Sequence, residues 1–298
     1  MSTVCIKPVS ENCGRTPKIG VVHLVRASNG IEPFERFLDS YVENPGGIRH
    51  DLLIIYKGFS GGDSIAPYEA LMTGIPHRTL KVADFGYDIR AYFKAARTFF
   101  YDYFCFLNSF SVIKDKDWLK KLYDHASRQD VGLVGASGSC ESAYSNSLRH
   151  ELLHAFFLRR MISKIWIGFL KACFDPFPNY HIRSNGFMIS RDTMHKIRPG
   201  FILSKMDAHR FESGKRGLTK QVLGRDLKAL VVGKDGAVFE KEKWCRSGTF
   251  RQGNQCNLLI ADNQTRIFDD ADAATRRQLT EIAWGDTCDQ ASGCNQIS

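Results

Sequence analysis

One predicted helix carries a residue spacing that is typical of zinc chemistry. His150-Glu151-Leu152-Leu153-His154 matches H-E-x-x-H, which places two histidines on one helix face to bind Zn²⁺ and leaves the glutamate as a general base. The pattern is short and arises often by chance, and metzincins need a third zinc ligand at a fixed spacing in the sequence. The downstream candidates do not lie at that spacing: Asp175, His181, Asp192 and His195. A zinc metallopeptidase is therefore a minor alternative.

A second set of candidates consists of polar side chains that follow predicted strands in the first half of the chain. They are, in chain order, Arg26, Asp84, Asp88, Asn108 and Ser109. In open α/β sheets, ligands bind beyond the carboxyl ends of the strands, so these side chains are binding candidates. Ordinary loop polarity is the alternative explanation for each of them.

Strands and helices alternate in the part of the chain that must position these side chains. Runs rich in β-branched and aromatic residues predict strands at 18–25, 51–56, 77–82, 103–107 and 131–136. Apolar residues at helical spacing predict helices between them at 32–44, 67–73, 88–99 and 117–127. This alternation indicates a Rossmann-like α/β fold, in which a mostly parallel central sheet is flanked by helices.

The second half of the chain is less regular. Strands are predicted at 187–190 and 229–232, a helix at 273–284, and a loop rich in Lys, Arg and Gly at 204–220. A long helix is predicted at 149–172, with an apolar stripe and basic residues between its members. That helix suits peripheral contact with a membrane surface. Core packing or homodimer formation is the alternative explanation of the stripe, and the commoner one.

Composition limits the classes of protein to which the chain can belong. Its 298 residues are 43% hydrophobic, enough for a large core, and the formal net charge is +9. The positive charge favours an anionic partner such as a nucleotide diphosphate, an anionic lipid or a nucleic acid. The basic residues form no recognisable nucleic-acid module, so nucleic acid is not expected as a partner. Walker A, dinucleotide and nucleophile-elbow motifs are absent from the sequence, which disfavours NTPases, dehydrogenases and hydrolases.

The pattern along the chain predicts one domain at 18–285, with flexible segments at 1–17 and 286–298. No apolar run resembles a signal peptide or a membrane span. The nine cysteines form no C-x-x-C pair, and we expect them to be reduced. These features predict a cytoplasmic protein, with any peripheral membrane contact at the inner face.

Taken in order, these elements resemble those of the GT-A glycosyltransferases, especially the large inverting family 2. The segment Gly86-Tyr87-Asp88-Ile89-Arg90-Ala91 opens an alanine-rich helix, and the fourth strand leads into Phe106-Leu107-Asn108-Ser109. In the family, that strand delivers a D-x-D motif whose carboxylates hold a divalent cation at the donor diphosphate. Asn108 and Ser109 are weak ligands for Mg²⁺ or Mn²⁺. The resemblance therefore implies a GT-A-like domain with no certain cofactor: Mg²⁺ or Mn²⁺ in a divergent site, or, as we favour, Arg or Lys at the diphosphate.

The resemblance also implies roles for individual residues. Glu212 would deprotonate the acceptor hydroxyl, with Asp207 as second choice, since both fall where the family keeps its base. Arg183 and Asn185 lie in the segment beneath the donor and acceptor sites. Arg251 lies in 243–255, whose Trp, Arg, Gln and Gly content suits a flap over the nucleotide sugar. Arg26, Asp84 and Asp88 would bind the nucleotide or ribose, and Asn108 and Ser109 the diphosphate.

These roles predict an enzyme of polysaccharide biosynthesis that transfers a sugar from a nucleotide-diphosphate donor to a hydroxyl of a glycan or glycolipid, with inversion. The missing carboxylates of the D-x-D motif motivate the main alternative. It is a non-catalytic protein that binds a nucleotide or sugar on a degenerate transferase fold.

Overall fold

The computed structural model describes residues 16–60, 64–151 and 157–285, and the side chains in these ranges except those of 150–151 and 157–162. The expected flexible ends, 1–17 and 286–298, therefore lie outside the described residues except for Thr16 and Pro17. In chain order the strands are β1 (Ile19–Arg26), β2 (Asp51–Lys57), β3 (His77–Val82), β4 (Tyr103–Leu107), β5 (Val112–Ile113), β6 (Val131–Gly135), β7 (Gly138–Ser139), β8 (His181–Ile182), β9 (Gly186–Ser190), β10 (Lys228–Val232), β11 (Val238–Phe239) and β12 (Ile260–Ala261).

The α-helices separate most of these strands. In chain order they are α1 (Glu32–Glu43), α2 (Ala66–Leu71), α3 (Tyr87–Thr98), α4 (Trp118–Ala126), α5 (Ala143–Glu151), α6 (Phe157–Cys173), α7 (Arg191–Lys196), α8 (Lys205–Ser213), α9 (Leu218–Leu223), α10 (Asn263–Asp269) and α11 (Ala273–Trp284). Short 3-10 helices occupy Ala27–Asn29 and Lys241–Arg246. None of the helices within the described ranges is both long enough and apolar enough to cross a bilayer.

The central sheet of the described chain has eight strands in the order β11-β10-β6-β9-β4-β1-β2-β3. Strands β3, β2, β1 and β4 pair in parallel, and so do β6 and β10. Strand β9 runs antiparallel between β4 and β6, and β11 is antiparallel at the edge. The predicted α/β fold with a mostly parallel sheet is confirmed. Because β2 and β4 lie on opposite sides of β1, the strand order reverses at β1, which is where such sheets open a binding crevice.

Both faces of the sheet are covered, which explains why its central strands are apolar throughout. On one face, Val22 and Leu24 pack in a cluster with residues of α3. On the other, Val21 and Val25 pack with Phe34 and Phe37 of α1. Strand β4 divides in the same way, because successive side chains of a strand point to opposite faces.

The structure corrects the prediction of a loop at 204–220, which contains helix α8 and the first turn of α9. The Ser204 side chain accepts the Asp207 N–H, and the Asp207 carboxylate accepts the Ser204 N–H, so α8 begins with a capping box. This S-x-x-D pattern is visible in the sequence. The abundant Lys, Arg and Gly residues, read as loop composition, concealed it.

The helix predicted at 149–172 corresponds to parts of two helices, α5 and α6. Residues 152–156 between them lie outside the described residues, and this range includes His154 of the H-E-x-x-H pattern. The side chains of His150 and Glu151 are likewise not described. The zinc hypothesis is therefore not tested by the structure.

The cysteines only partly follow the sequence prediction. Cys105 and Cys173 lie outside any disulfide, as expected of reduced thiols. Cys256 is disulfide-bonded, so the expectation that every cysteine is reduced is wrong for this residue.

Strand β1 contains a histidine, His23, whose side chain is fully buried among aromatic rings. His23 has 0% exposure, and its ring stacks on that of Phe37 with centroids 3.7 Å apart. Neither ring nitrogen has a hydrogen-bond partner among the described residues. Because burial penalises the charged form, the pKa of His23 falls from 6.5 to about 3.

We expect the substitution His23→Leu to flatten the pH dependence of stability. The unfolded chain protonates this histidine near pH 6.5 and the folded chain only near pH 3, so stability is lost as the pH falls between these values. The loss approaches about 1.4 kcal/mol per pH unit. Urea unfolding of both proteins over this range measures it. Parallel stability curves for wild type and variant would contradict the assignment to His23.

Candidate functional site

Three charged side chains meet where β1, β2 and β3 end. The guanidinium of Arg26 donates to both oxygens of Asp84, at 3.0 Å from Nε and 2.8 Å from Nη2. The ammonium of Lys57 lies 2.6 Å from Asp84 Oδ1, and its side chain is only 2% exposed. Hydrogen bonds from Arg26 and Lys57 lower the pKa of Asp84 to about 2. The group therefore has a fixed anion between two cations and an excess of one positive charge.

Asp88 follows Asp84 in the chain and lies in the first turn of α3. Gly86 precedes this helix with φ of 72°, a backbone conformation that few residues other than glycine adopt. Burial raises the pKa of Asp88, while the charges of Lys57 and Arg26 act in the opposite direction. The negative charge of Glu212 raises it further. Asp88 thus lies within the electrostatic reach of both the cationic group and the predicted base.

Asp88 and Glu212 line the same cavity, which has a volume of about 720 Å³. Helix α3, the segment from β8 to β9, and helix α8 form its walls, and Glu141 and Gln264 line it as well. The volume is within the range of sites that enclose a small ligand. We refer to this space as the reaction cavity.

The carboxylate of Glu212 is held by the backbone. Glu212 Oε1 accepts the Ser184 N–H at 2.7 Å, and the side chain is half-buried in the cavity wall. Nearby, His181 is buried, and its Nδ1 lies 2.8 Å from the Asn179 carbonyl oxygen. Burial lowers the pKa of His181 even though the charge of Glu212 favours its protonation. Within the described residues Glu212 forms no ion pair, so no fixed cation neutralises its carboxylate.

Two arginines near the cavity wall contact the ring of Phe250. The guanidinium carbons of Arg183 and Arg251 lie 3.8 and 4.8 Å from the Phe250 ring centroid. Arg183 donates to Asp262 at 2.8 Å. Arg251 lies 3.5 Å from Glu141 and donates to Gln264 at 3.1 Å.

Arg251 is the less satisfied of the two arginines. Its Nε is buried and has no hydrogen-bond partner among the described residues. Burial also lowers the pKa of its guanidinium. Both of its polar side-chain partners, Glu141 and Gln264, line the reaction cavity. Arg251 itself is buried and does not line the cavity, so its positive charge would act on a bound anion through the wall formed by Glu141 and Gln264.

The residues at the end of β4 do not fit a divalent cation. Asn108 Oδ1 already accepts the Phe110 N–H at 2.9 Å and the Ser111 hydroxyl at 3.2 Å, and Ser109 is buried. Neither side chain supplies the carboxylate that Mg²⁺ and Mn²⁺ prefer. Within the described residues, no group of three or more His, Cys, Asp or Glu side chains is placed to hold a metal ion.

The other residues predicted for the site lie apart from the reaction cavity. Asn185 is buried, accepting from the Ser137 hydroxyl and donating to the Ile260 carbonyl, each at 2.7 Å. Asp207 caps α8 and is not among the cavity-lining residues. The segment 243–255, expected to form a flap, packs Trp244 and Phe250 into the core.

Sequence reasoning missed three contributors to the site. Lys57 ends β2 just as Arg26 ends β1, so the strand-end argument could have identified it. Glu141 and Gln264 follow no strand of the central sheet and belong to no recognisable motif. Their positions in the wall of the reaction cavity and their contacts with Arg251, both set by the tertiary structure, connect them to the site.

No family model and no curated protein matches the sequence. Among solved structures, the fold overlaps that of the mannosyltransferase PcManGT from Pyrobaculum calidifontis in complex with GDP-Man and Mn²⁺, at 14% identity and a TM-score of 0.46, over 76% of this chain and 57% of that one. It also overlaps mouse xyloside xylosyltransferase 1 in its apo form, at 10% identity and a TM-score of 0.41, over 72% and 85% of the chains. Residues 1–349 of S. aureus TarS match at 14% identity and a TM-score of 0.32, over 40% and 34%.

The names of two of these proteins identify them as glycosyltransferases. This is the class whose order of elements the sequence resembles. Overlaps of this extent carry no conclusion about what the present chain binds. The case for function rests on the geometry of the site.

We expect Asp84→Asn to destabilise the fold by about 2 kcal/mol, because it leaves the buried ammonium of Lys57 without a counter-charge. Asp130→Asn is a matched control, since Asp130 also contacts two cations, Arg128 and Lys228, but on the surface. The control should change stability far less, because its ion pairs are exposed to solvent and screened. Equal losses in urea unfolding would show that burial of Lys57 does not matter.

Proposed function

We propose that the chain is a glycosyltransferase that moves a sugar from a nucleotide-diphosphate donor to a hydroxyl of a glycan or glycolipid, with inversion at the anomeric carbon. The observation that supports it best is the reaction cavity. It brings a backbone-anchored carboxylate, Glu212, into one space with Asp88 and with the wall that covers Arg251. A transfer of this kind needs a base for the incoming hydroxyl and positive charge for the departing diphosphate.

In this proposal the donor lies across the strand ends. Asp84 and Asp88 offer acceptors for ribose or base, while Arg26 and Lys57 supply positive charge beside them. The diphosphate faces the wall of Glu141 and Gln264, where the guanidinium of Arg251 replaces the cation that Asn108 and Ser109 do not suit. Planar guanidinium groups bind phosphate oxygens in a bidentate way, which suits them to this role.

The chemical step is a single displacement in which Glu212 acts as the base. Its carboxylate takes the proton of the acceptor hydroxyl, and the oxygen forms a bond to the anomeric carbon. The bond between that carbon and the diphosphate oxygen breaks, and its electron pair leaves with the diphosphate. The hydrogen bond from Ser184 N–H orients the carboxylate throughout.

The place of action is part of the same proposal. We propose a cytoplasmic protein of polysaccharide biosynthesis that meets the inner face of the membrane through the region 149–172, or forms a homodimer there. Ile165, Trp166 and Phe169 of α6 are exposed, which supports either kind of contact. The thiols of Cys105 and Cys173 agree with a reducing compartment, whereas the disulfide at Cys256 does not.

A second candidate function is a non-catalytic nucleotide or sugar-binding protein. The end of β4 favours it, because Asn108 and Ser109 cannot provide the usual carboxylates. Such a protein would bind the donor but would neither transfer nor hydrolyse it.

A thermal-shift screen with UDP-, GDP-, CMP- and dTDP-sugars, in EDTA and then in Mn²⁺, tests the proposal. A donor present at 100 times its Kd stabilises the fold by about 2.7 kcal/mol. A shift with one nucleotide class in EDTA supports a site based on arginine. A shift only in Mn²⁺ would place a metal in the site, and no shift with any donor would contradict the function. Hydrolysis of the bound donor separates an enzyme from the binding protein.

We expect Glu212→Gln to lower kcat by about 10²–10⁴-fold and to leave donor affinity within about threefold, because a base acts on the acceptor proton. Glutamine keeps the oxygen that accepts the Ser184 N–H. Asp207→Asn in the same helix should retain kcat, since Asp207 lies outside the reaction cavity and asparagine keeps an oxygen that can accept the Ser204 N–H. A normal kcat in the Glu212 variant would move the base to another residue.

A further inference from the structure

A second cavity, of about 600 Å³, lies between α3 and the segment that precedes α8. Two phenylalanines at its rim are exposed, Phe85 by 47% and Phe201 by 87%. Three basic residues of α3 line it: Arg90, Lys94 and Arg97. None of the described residues that line it is acidic. We refer to this space as the basic groove.

The basic groove is separated from the reaction cavity by a pair of aromatic rings. Phe93 lines the groove and Phe211 lines the reaction cavity, and their rings meet edge to face with centroids 5.8 Å apart. Helix α3 serves both spaces, since Asp88 and Tyr92 line the reaction cavity while Arg90 and Arg97 line the groove. The two spaces are therefore neighbours on either side of one aromatic wall.

The three cations of the groove have no anionic partners within the described chain. Arg90, Lys94 and Arg97 follow one another at intervals of four and three residues, which places them along one face of the helix. Arg90 lies over the Phe85 ring at 4.6 Å, and Lys94 contacts a backbone carbonyl at 3.4 Å. Three adjacent cations and no acidic residue among the described lining give this surface a net positive charge.

Exposed aromatic rings beside unpaired cations are suited to a ligand with apolar faces and negative charges. Removing an exposed phenylalanine ring from water is energetically favourable, and the apolar face of a sugar ring can cover it. The guanidinium groups bind carboxylate or phosphate oxygens. The cationic face from Arg90 to Arg97 extends for about 10 Å along the axis of α3. The groove is concave, which suits a chain better than a flat lipid surface.

We propose that the basic groove binds the distal part of the acceptor, and that this acceptor is a negatively charged saccharide chain bearing carboxylate or phosphate groups. The proposal rests on the proposed transferase function, since it places the acceptor hydroxyl in the reaction cavity and the rest of the chain along α3. It deepens that function by naming the chemical class of the acceptor.

Titration calorimetry with defined oligosaccharides tests the proposal. The probes are an oligogalacturonate, a phosphorylated mannose oligosaccharide and neutral maltohexaose. We expect wild-type protein to bind at least one anionic probe about tenfold more tightly than maltohexaose, and added salt to weaken that binding. The anionic probe that binds better identifies carboxylate or phosphate as the recognised group.

The variants K94E/R97E and Phe201→Ser should each weaken the anionic probe about tenfold or more, a loss of about 1.4 kcal/mol. Lys94, Arg97 and Phe201 are exposed, so the fold should tolerate their substitution. Arg277→Glu in α11 and Val42→Ser in α1 are matched controls at exposed positions outside the groove, and they should change affinity by less than about twofold.

Several outcomes would overturn the proposal: equal binding of maltohexaose, no binding of any oligosaccharide, or unchanged affinity in the groove variants. A different outcome is that wild-type protein binds phosphatidylglycerol vesicles and no oligosaccharide. If K94E/R97E abolished that vesicle binding, the groove would be assigned to a membrane surface. Donor thermal shifts in the same variants separate the two proposals. If the groove variants keep the donor thermal shift and also bind the oligosaccharide as wild type does, only the proposal for the basic groove is contradicted. If wild-type protein shows no thermal shift with any donor, the proposed transferase function is contradicted.

Discussion

The Asp84 carboxylate ties together the ends of three parallel strands, and the site is built around it. Lys57 is buried at the end of β2, and a buried ammonium is tolerated only when an anion neutralises it. Asp84 supplies that anion and also takes both hydrogen bonds from Arg26. Gly58 permits the approach, because a Cβ at that position would lie 2.9 Å from the Asp84 Cβ. The same short connection leads into α3, so this cluster positions the helix that serves both cavities.

The opposite wall depends on a different kind of contact. Arg183, Phe250 and Arg251 form a stack in which each guanidinium lies against the ring, and Asp262 and Glu141 compensate the charges. The two ion pairs are not equivalent. Arg183 and Asp262 are both buried and close, whereas Glu141 is partly exposed and lies 3.5 Å from Arg251. Glu141 is therefore the less tightly bound of the two carboxylates.

Helix α3 connects these features to function because its two faces have different neighbours. Its first turn and the face with Tyr92 contribute to the reaction cavity, and the face with Arg90, Lys94 and Arg97 borders the basic groove. Its buried residues pack on the sheet, which fixes the direction of both. A donor at the strand ends and an extended acceptor along the helix would thus meet at Glu212, where the proposed chemistry takes place.

The order and type of most elements could be predicted from the sequence, because burial on both faces of a sheet leaves apolar runs and burial on one face of a helix leaves a stripe. Strand β4 and helix α11 lie where the patterns predict them, and Glu212 and Asp88 were candidates from their positions in the chain. The capping box at Ser204 was also legible, although its surroundings suggested a loop. Local sequence determines features of this kind because the interactions responsible span only a few residues.

The partnerships within the site were decided by the tertiary structure alone. Arg26 and Asp84 are 58 residues apart, and Arg183 and Asp262 are 79 apart. The insertion of β9 between β4 and β6 places Asn185 and Ser184 beside residues of three other segments. No periodicity records such pairings, since they arise from how the strands are ordered in the sheet. The sequence by itself determined which elements form and which residues are polar at their ends, and packing determined which of those residues meet.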